Sequence, residues 1–443
     1  MNYTSEVENI METKLNKIRE RSTNKPEEIF TSLGHLINEE LLLLCHKELE
    51  SNKAAGIDEI TKTQYEDNLQ ENIHQIVERL KLKAYRPQPV KRVYIPKGDG
   101  KQQRPLGIST YEDKLVQLAL KKILEAVFEP HFLNHSYGFR PSRSPHQALK
   151  ALALHIEKGK VSYVVDADIQ GFFEHVNHDI LIQCVQKRIQ DPNIIRLIRR
   201  FLIAGVMEHG HWIPSEVGTS QGSISSPILA NIYLHYCLDL WFEKAVKPNI
   251  RGEAYIVRYA DDFVSCFQYQ SDAENFYKAL QQQLYKFTLS IEKEKSKIIE
   301  FGRFALQNRT NKGMSKPETF NFLGFTHYCS SNRNGKFRIK RKTSRKRLSS
   351  KIKAFKVWIK SNRHKPIKEI METVKVKLVG HYRYYGITDN SDMLGKYFFE
   401  IQKLLLKWLN RRSQRRSFTY DQFNQYLKRF PLPFPKIYVN IYV

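Results

Sequence analysis

Hydrophobic and polar positions along the chain follow two different periods, and the change from one to the other outlines the secondary structure. Apolar residues recur every three or four positions in Asn68–Leu82 and Lys114–Phe128, which predicts two amphipathic helices. Between them, Val90–Pro96 has the composition of a strand, and Gly98–Gly100 is typical of a hairpin turn. Strands and helices then alternate as far as about residue 330. This pattern predicts an α+β fold with an embedded sheet.

Helical periodicity dominates both ends of the chain. Residues 1–50 favour helices, and the apolar residues of Leu348–Ile359 recur at intervals of four, three and four, the stripe of one helix. Two further helical stretches are predicted at 366–384 and 393–411, with a domain boundary near 330–343. The predicted units are an N-terminal helical extension at 1–50, a mixed α/β unit at 51–335 and a helical, basic unit at 343–443.

The charge balance narrows the class of partner. The 443 residues include 72 Lys and Arg against 46 Asp and Glu, a net charge of +26. Such an excess repels itself, so it favours a polyanionic partner, with nucleic acid preferred over an acidic membrane surface. The excess is greatest after Glu318, because residues 319–368 contain no acid and 331–368 hold 16 Lys and Arg.

Other features argue against a membrane or secreted protein. No apolar run approaches the ~18 residues of a bilayer span, and the N-terminus lacks the basic and apolar regions of a signal peptide. The five cysteines lie far apart without a CxxC pair, which argues against a zinc module. We therefore expect a cytoplasmic protein whose cysteines fill the core.

Two acidic segments carry the candidate chemistry. Ser162–Phe173 is an apolar strand that ends in Asp166 and Asp168, and Ile256–Ser265 has two apolar halves around an Asp-Asp pair. The second segment predicts a tight hairpin, so its acids and the strand-end acid can converge on one point. An isolated Asp-Asp pair is usually a solvated turn, but acids within apolar strands need a partner charge or a metal. Three clustered carboxylates suit the two Mg²⁺ ions that nucleotidyl transfer requires.

A third segment, Gly218–Leu234, predicts a loop that runs into a helix. Gly218 and Gly222 allow close approach of the backbone to a ligand, and Ser226 is predicted to cap the helix with Pro227 at its first position. On these residues alone, a purely structural role is equally well supported.

The order and spacing of these segments resemble the reverse transcriptases encoded by group II introns. Tyr259-Ala-Asp-Asp262 resembles the catalytic motif of that family, and Asp166-Ala-Asp168 with Phe172-Phe173 resembles its first acidic motif. The resemblance covers about residues 35–437. Further matching segments are Ser220-Gln-Gly222 with Ser226-Pro-Ile-Leu-Ala-Asn-Ile-Tyr-Leu234, Lys53-Ala-Ala-Gly-Ile-Asp58, Arg104-Pro-Leu-Gly-Ile108, Ser136-Tyr-Gly-Phe-Arg-Pro141, Phe320-Asn-Phe-Leu-Gly324 and Gly380-His-Tyr-Arg-Tyr-Tyr385.

This resemblance implies a right-hand polymerase fold and an RNA-directed DNA polymerase. Residues 51–335 would form fingers and palm with an antiparallel sheet, and 343–443 a helical thumb or maturase X domain. The implied partners are an RNA template, a DNA primer, dNTPs and a group II intron RNA, and a homodimer stays open. The chain ends at Val443, before the endonuclease that many relatives carry, so we expect no second-strand nicking from it.

The resemblance also implies roles for individual residues. Asp168, Asp261 and Asp262 would be catalytic and would hold two Mg²⁺ ions, for which Mn²⁺ is a candidate substitute, together with the carbonyl of Ile169. Asp166 would be either a supporting acid or a solvated strand end. Incoming nucleotide would meet Lys97, Arg104, Gln221 and Lys295, with Phe173 as a steric gate against a 2′-OH and Phe172 in the core. Lys293 and Lys297 compete with Lys295, and the primer grip would be Phe322, Leu323 and Gly324.

The basic residues are expected to contact RNA, with structural alternatives left open. A salt bridge is an equal alternative for Arg140 and Arg143, and the aromatics of the His381–Gly386 segment could be core. The expected RNA-binding residues are Arg140, Arg143, Lys346, Lys353, Lys356, Arg383, Arg411, Arg412, Arg415 and Arg416.

The sequence departs from the family pattern at one position and leaves two rival functions open. Ser220 stands where the family usually has Pro, from which we expect altered loop stiffness and retained activity. The first rival is a non-catalytic RNA-binding splicing cofactor. The second is a domesticated relative that serves DNA repair or phage defence.

Overall fold

A computed structural model describes residues 3–97, 102–412 and 417–442, without the side chains of residues 3–9, 97 and 102. Eleven strands lie within these residues. They are β1 Val90–Lys97, β2 Gln102–Ile108, β3 Tyr163–Asp168, β4 Val206–Glu208, β5 His211–Ile213, β6 Ala254–Tyr259, β7 Asp262–Phe267, β8 Lys297–Glu300, β9 Phe320–Phe322, β10 Phe325–Ser331 and β11 Phe337–Thr343.

Sixteen α-helices lie within the same described ranges and complete a mixed helix-and-sheet fold, as predicted. They are α1 Tyr3–Asn24, α2 Glu39–Glu48, α3 Lys62–Glu66, α4 Leu69–Lys81, α5 Tyr111–Phe128, α6 Pro145–Lys158, α7 Phe172–His175, α8 His178–Gln186, α9 Pro192–Ile203, α10 Ser226–Leu234, α11 Gln270–Lys286, α12 Ala305–Asn311, α13 Arg345–Asn362, α14 Ile367–Tyr385, α15 Ser391–Leu409 and α16 Tyr420–Arg429.

The central sheet, which we call the palm sheet, has the antiparallel order β6-β7-β3-β8. Successive side chains of a strand point to opposite faces, and both faces of this sheet are covered. Val165 and Phe263 face one hydrophobic core, which contains α5 and α10. Val164 and Val264 face a second core, which contains the C-terminal helices α13 to α15. The acids at the strand ends therefore lie where the palm sheet meets the C-terminal helices.

The N-terminal helices share the first core. Helix α1 packs on α5 and α2, and Met11, Leu41 and Cys45 are completely buried. The helices Tyr3–Asn24 and Glu39–Glu48, within the stretch where helices were predicted, thus pack against the central unit.

A second sheet, the fingers sheet, has the order β2-β1-β4-β5. Strands β1 and β2 form an antiparallel hairpin that presents Arg104 on its outer part. The turn predicted at Gly98–Gly100 lies outside the described residues.

The predicted boundary near 330–343 contains an antiparallel hairpin, β10–β11, in a sheet of order β11-β10-β9. Ile339 of β11 is buried in the second core, and Arg341 is buried beneath the ring of Tyr442 at 5.4 Å. The basic residues at the predicted boundary therefore belong to a pair of strands that packs into the second core. Helix α13 begins after this pair, at Arg345.

Two expectations about the interior can be compared with the fold. Four of the five cysteines are buried and Cys329 is half-buried, so they fill the core as predicted. No helix in the described part of the chain combines the length and apolar character that crossing a bilayer requires.

Candidate active site

The acids of the two carboxylate motifs lie at one end of the palm sheet. Antiparallel pairing of β3 with β7 places Asp168 directly opposite Asp262, with Asp166 two residues earlier on the same face. Asp261 lies in the two-residue turn between β6 and β7, which we call the carboxylate turn (Ala260–Asp261). Ala260 has a φ of 58°, a left-handed conformation that costs energy for any residue with a Cβ. The structure thus brings four carboxylates together from two separate stretches of chain.

Burial, together with the charges of neighbouring carboxylates, raises the pKa of Asp166, Asp261 and Asp262. Asp262 lies in the wall of a cleft, where the surrounding protein and the charges of its three acidic neighbours raise its pKa to about 7. Burial raises the pKa of Asp166 to about 6, with Lys297 acting in the opposite direction, so Asp166 is not a freely solvated strand end. Such a cluster favours cation binding, because a cation removes the repulsion between the ionised forms.

Asp168 and Asp262 are the residues best placed to hold a divalent cation, with Asp261 beside them and Ile169 next along the chain. Among the described residues, no three Asp, Glu, His or Cys side chains surround one point closely enough to hold an ion unaided. Mg²⁺ usually keeps several waters and takes further oxygens from substrate phosphates, so the protein need supply only part of its shell. The hard carboxylate oxygens at this site fit Mg²⁺.

Lys295 forms an ion pair with the strand-end acid Asp168. Its Nζ lies 3.4 Å from Oδ2 of Asp168 and 3.6 Å from Oε2 of Glu292. Lys297 pairs instead with the backbone of Asp166 across β8 and β3, and its Nζ donates to the carbonyl of Thr319 at 3.4 Å. Between these two lysines, the geometry favours Lys295 as the cation beside Asp168.

A buried arginine supports the carboxylate turn from behind. Arg258, on β6, is fully buried, and all five of its guanidinium N–H groups find acceptors. Two of them form a bidentate ion pair with Asp239 at 2.7 and 2.5 Å. The other three reach the side chains of Asn231 at 3.0 Å and Ser136 at 2.7 Å, and the carbonyl of Ala260 at 3.0 Å.

This network connects the carboxylate turn to segments that lie far from it in the sequence. Burial alone would raise the pKa of Asp239, but the charge and hydrogen bonds of Arg258, together with those of His135, hold that pKa well below its usual range. Asn231 also donates to the carbonyl of Gly138 at 2.8 Å, and a Cβ on Gly138 would collide with the backbone of Ala260. The segments around residues 136, 231 and 258 therefore meet at one buried ion pair and fix the backbone of the turn.

The loop before α10 packs against the fingers sheet. The amide of Gly107 donates to the carbonyl of Gln221 at 2.7 Å, and a Cβ on Gly222 would lie 2.7 Å from the carbonyl oxygen of Gly107. The half-buried Gln221 is thereby held between fingers and palm. The two glycines are required here because the two backbones touch.

The helix cap predicted at Ser226 is wrong by one residue. The residue before α10 is Ser225, whose side chain makes no capping bond, and Ser226 is the first helical residue. The hydroxyl of Ser226 donates instead to the carbonyl of Ser220 at 2.9 Å. Sequence reasoning missed this contact because the loop folds back on the helix start.

The two phenylalanines after the first acidic motif differ in burial. Phe172 is buried against Tyr233, with ring centroids 6.2 Å apart, as expected of a core residue. Phe173 is half-buried at 5.2 Å from Phe172, and its carbonyl accepts from the amide of Thr219 at 2.7 Å. Phe173 thus lies between the carboxylate strand and the loop that holds Gln221.

The fingers contribute charge from the other side of the site. Arg104, on β2, is exposed, and its charge lowers the pKa of Asp261, which burial and then Asp168 raise. The backbone of Lys97 ends β1 opposite Gln102, while its side chain lies outside the described residues.

A second tight turn, the grip turn (Leu323–Gly324), faces the carboxylates. It joins β9 to β10, and both of its residues have positive φ, 49° and 81°, the pattern of a type I′ turn. Phe322 is buried, whereas Leu323 is half-buried and its carbonyl accepts from the hydroxyl of Tyr384 at 2.9 Å. The residues predicted as a primer grip therefore lie against a C-terminal helix.

A cleft of about 710 Å³ separates the palm sheet from the C-terminal helices. Asp262 and the grip turn form one wall, and the other wall carries the cations of Arg347, Lys351 and Lys377. Acids on one wall and cations on the other suit a phosphate backbone whose end lies beside a metal. The remaining lining residues are Ala354, Phe355, Gly380, His381, Tyr384, Tyr385 and Tyr397.

The structure separates the predicted RNA-binding residues into groups. Arg140 is buried, pairs with Glu129 at 2.9 Å and donates to the carbonyl of Ser136, so its geometry fits the structural alternative. Arg143 lies over the ring of Tyr137 at 5.4 Å and is half-buried. Exposed residues are Lys346, Lys353, Lys356, Arg383 and Arg411, while Arg412 is half-buried and Arg415 and Arg416 lie outside the described residues.

Sequence reasoning missed the residues that position the site, namely Arg258, Asp239, Asn231 and Tyr384. A signal existed for the first of these, since an arginine within the apolar strand Ile256–Tyr259 requires a buried partner. Nothing local identified Asp239 as that partner. In the His381–Gly386 segment both Tyr382 and Tyr385 are buried, which fits the alternative of core aromatics.

Comparisons with known proteins agree with this geometry. Residues 95–327 match the family model described as reverse transcriptase (RNA-dependent DNA polymerase). The chain is 40% identical over 222 residues to the group II intron-encoded protein LtrA of Lactococcus lactis subsp. cremoris, a match that covers 50% of this chain and 37% of that protein. It is 32% identical over 237 residues to protein YkfC of Escherichia coli (strain K12), covering 47% and 62% respectively. Nuclear intron maturase 1, mitochondrial, of Arabidopsis thaliana is 29% identical over 109 residues, 23% of this chain and 15% of that protein. The chain therefore spans less than two thirds of the length of each of these relatives.

Proposed function

Because the chain belongs to the reverse transcriptase family, in the branch of group II intron-encoded proteins, we propose that it extends a DNA primer on an RNA template. The observation that carries this proposal is the cross-strand pairing of Asp168 with Asp262, beside Asp261 in the carboxylate turn. Acids from two stretches of chain meet at the cleft where a primer end would lie.

The reaction is transfer of a dNMP unit to a 3′-OH with release of pyrophosphate. Asp168, Asp261 and Asp262 would hold two Mg²⁺ ions, which when bound would activate the 3′-OH and stabilise the leaving pyrophosphate. The chain's own contribution is to fix Asp168 and Asp262 on paired strands, and Asp261 in the turn before β7, before substrate arrives. Fixed charges of this kind need no reorganisation during the reaction.

Cations of the chain would meet the triphosphate. Arg104 is close enough to the carboxylates to affect Asp261, and Lys295 lies 3.4 Å from Asp168. Both can offset the negative charge that accumulates on the transferred phosphate. Lys295 is also a possible proton donor to pyrophosphate, because its ammonium faces the site.

Selection of deoxynucleotides is proposed for Phe173. Phe173 follows Asp168 by five residues, and its ring is supported by the buried ring of Phe172. A ring at this position would exclude a 2′-OH by steric contact, since Phe172 prevents it from withdrawing into the core.

Primer extension tests the proposed reaction. Wild type and Asp262→Ala are compared on an RNA template with a DNA primer, dNTPs and Mg²⁺. We expect extension by wild type and none by the variant. Asp179→Ala is the matched control, because Asp179 is an exposed acid that pairs with Arg199 at 3.0 Å away from the cleft. Extension by wild type and Asp262→Ala alike would contradict the proposal.

A second proposed function is maturase activity, meaning binding of the parent intron RNA and assistance with its splicing. It is supported by the exposed cations of α13, of which Lys353 and Lys356 are two, and by the relatives named as intron proteins. Cations that neutralise phosphates make affinity depend on salt. The double variant of Lys353 and Lys356 to Ala should therefore bind RNA more weakly, with a salt slope reduced by up to ~2.

The control for this measurement is the double variant of Lys278 and Lys286 to Ala. Both lysines are exposed on α11, which covers the opposite face of the palm sheet. An equal loss of RNA affinity in both double variants would show that α13 is not a specific RNA surface.

The rivals differ from this proposal in which of the two activities, primer extension and splicing assistance, the wild-type protein has. A non-catalytic splicing cofactor would show no extension in wild type and full splicing assistance in both proteins. A domesticated relative in repair or phage defence would extend primers but would not assist splicing. For that rival the flanking DNA is decisive, because a maturase gene lies inside a structured intron.

A further inference from the structure

We propose that Tyr384 is a positioning residue that holds the grip turn beside Asp262, so that packing of α14 and alignment of the primer end occur together. This inference rests on the proposed polymerase function, and it concerns a residue outside the predicted site. Tyr384 belongs to the His381–Gly386 segment, whose aromatics were expected either to stack on RNA or to fill the core.

The contact itself is a single hydrogen bond across two parts of the fold. The Tyr384 hydroxyl, on α14, donates to the carbonyl of Leu323 at 2.9 Å. Leu323 has a φ of 49°, a conformation that a leucine adopts only at an energetic cost. Surrounding contacts must therefore hold the turn in this shape, and the Tyr384 hydroxyl is one of them.

Contacts with α6, with β10 and within its own helix fix the position of Tyr384. Its own carbonyl accepts from Nε2 of His146, near the start of α6, at 2.8 Å. Its ring stacks on Phe325 of β10 with centroids 6.0 Å apart and an angle of 17°, and Tyr385 meets its plane edge-on at 4.8 Å. The hydroxyl thus has one orientation, which lowers the entropic cost of its bond to Leu323.

The grip turn connects the C-terminal helices to the carboxylates. The carbonyl of Gly324 accepts from the amide of Ser344, the residue before α13, at 3.0 Å. On the other side, Leu323 and Gly324 line the same cleft as Asp262, and β9, which leads into the turn, contacts β7, which begins with Asp262. Movement of α13 or α14 would therefore move the backbone next to the catalytic acid.

A neighbouring tyrosine provides a matched control. Tyr382 lies on the same helix and is buried in the second core, and its hydroxyl has no hydrogen-bond partner among the described residues. Tyr382→Phe removes a tyrosine hydroxyl from the same helix but removes no contact with the grip turn. The comparison of Tyr384→Phe with Tyr382→Phe isolates the bond to Leu323.

Single-nucleotide incorporation tests the inference, with primer–template and dNTP concentrations varied separately. We expect Tyr384→Phe to raise the KM for primer–template or lower kcat by about three- to tenfold, the effect of one lost hydrogen bond, with the KM for dNTP unchanged. Tyr382→Phe should match wild type in every parameter. Wild-type kinetics in Tyr384→Phe, or an equal loss in both variants, would overturn the inference.

A second readout separates this inference from the proposed function. Amide hydrogen exchange of residues 320–326 in the protein without substrate should be faster in Tyr384→Phe and unchanged in Tyr382→Phe. If wild type does not extend primers, the proposed function fails, while exchange still decides whether Tyr384 holds the turn. Unchanged exchange in Tyr384→Phe would refute the positioning role even in an active enzyme.

Discussion

The carboxylate turn and the grip turn face each other across the candidate site, and the protein holds them in different ways. Behind the carboxylate turn, the buried guanidinium of Arg258 binds Asp239, Asn231, Ser136 and the carbonyl of Ala260. The grip turn has no such support among the contacts described for it. It is held from outside, by the hydroxyl of Tyr384 and the amide of Ser344.

This difference separates two tasks. Catalysis is faster when the charges of the reaction centre are held in fixed positions. The buried network holds them, because breaking any of its bonds would leave an unpaired charge in the core. A turn that contacts a moving primer must let the strand pass, and contacts from neighbouring helices can adjust with it. The comparison therefore predicts large effects from changes near the carboxylate turn and smaller ones near the grip turn.

The largest effect is expected from Asp262→Asn, which removes charge without changing shape. Extension should fall on the order of a thousandfold or more, because metal binding would lose a ligand.

The same variant should change how stability depends on pH when EDTA removes metal ions. Because the pKa of Asp262 is raised in the folded protein, its protonated form stabilises the wild-type fold at low pH, and this stabilisation is lost as pH rises through about 7. Urea unfolding should thus show the variant more stable than wild type at pH 8 but not at pH 4. Retained extension would remove Asp262 from the reaction centre.

The next effect is expected from Asp239→Asn, which breaks the support of the carboxylate turn. Arg258 would then be a buried charge without its partner, so the free energy of unfolding should fall by about 3–5 kcal/mol. Asp179→Asn is the control, because its partner Arg199 is exposed and such pairs contribute about 0–1 kcal/mol. Similar urea midpoints for the two variants would show that the buried network does not stabilise the turn.

Phe173→Val tests whether selection of deoxynucleotides over ribonucleotides depends on a residue on the same side of the site as the carboxylate turn. A smaller side chain should leave room for a 2′-OH and reduce discrimination against ribonucleotides by roughly tenfold to a hundredfold. The measurement is the ratio of kcat/KM for dNTP and rNTP. Phe304→Val, at an exposed phenylalanine, should leave the ratio unchanged. An unaltered ratio in Phe173→Val would assign discrimination to another residue.

The smallest effect is expected from Gly324→Ala in the grip turn. Gly324 has a φ of 81°, and a Cβ there would lie 3.2 Å from the hydroxyl of Tyr385. The left-handed conformation should cost about 1–2 kcal/mol of stability. Gly313→Ala is the matched control, with a φ of 71° and nothing within 4 Å of its Cβ. Only the Gly324 variant should extend primers more slowly, and equal extension by both would show that the grip turn does not contact the primer.

The sequence by itself determined the parts that depend on local geometry. Strand side chains alternate between the two faces of a sheet, so Asp166 and Asp168, two residues apart on β3, share one face. The sequence predicted a tight hairpin around the Asp261-Asp262 pair, and the structure has its turn at Ala260–Asp261, one residue earlier. Helical periodicity likewise predicted stretches at 366–384 and 393–411, which the structure shows as Ile367–Tyr385 and Ser391–Leu409.

Only the tertiary structure decided which residues support the acids. Arg258 meets Asp239 across 19 residues and Ser136 across 122, and Tyr384 meets Leu323 across 61. A charged residue within an apolar strand indicates that it has a buried partner. Which residue is that partner depends on the segment that the fold brings next to it. That choice depends on long-range packing, for which no local pattern of hydrophobic and polar residues carries a signal.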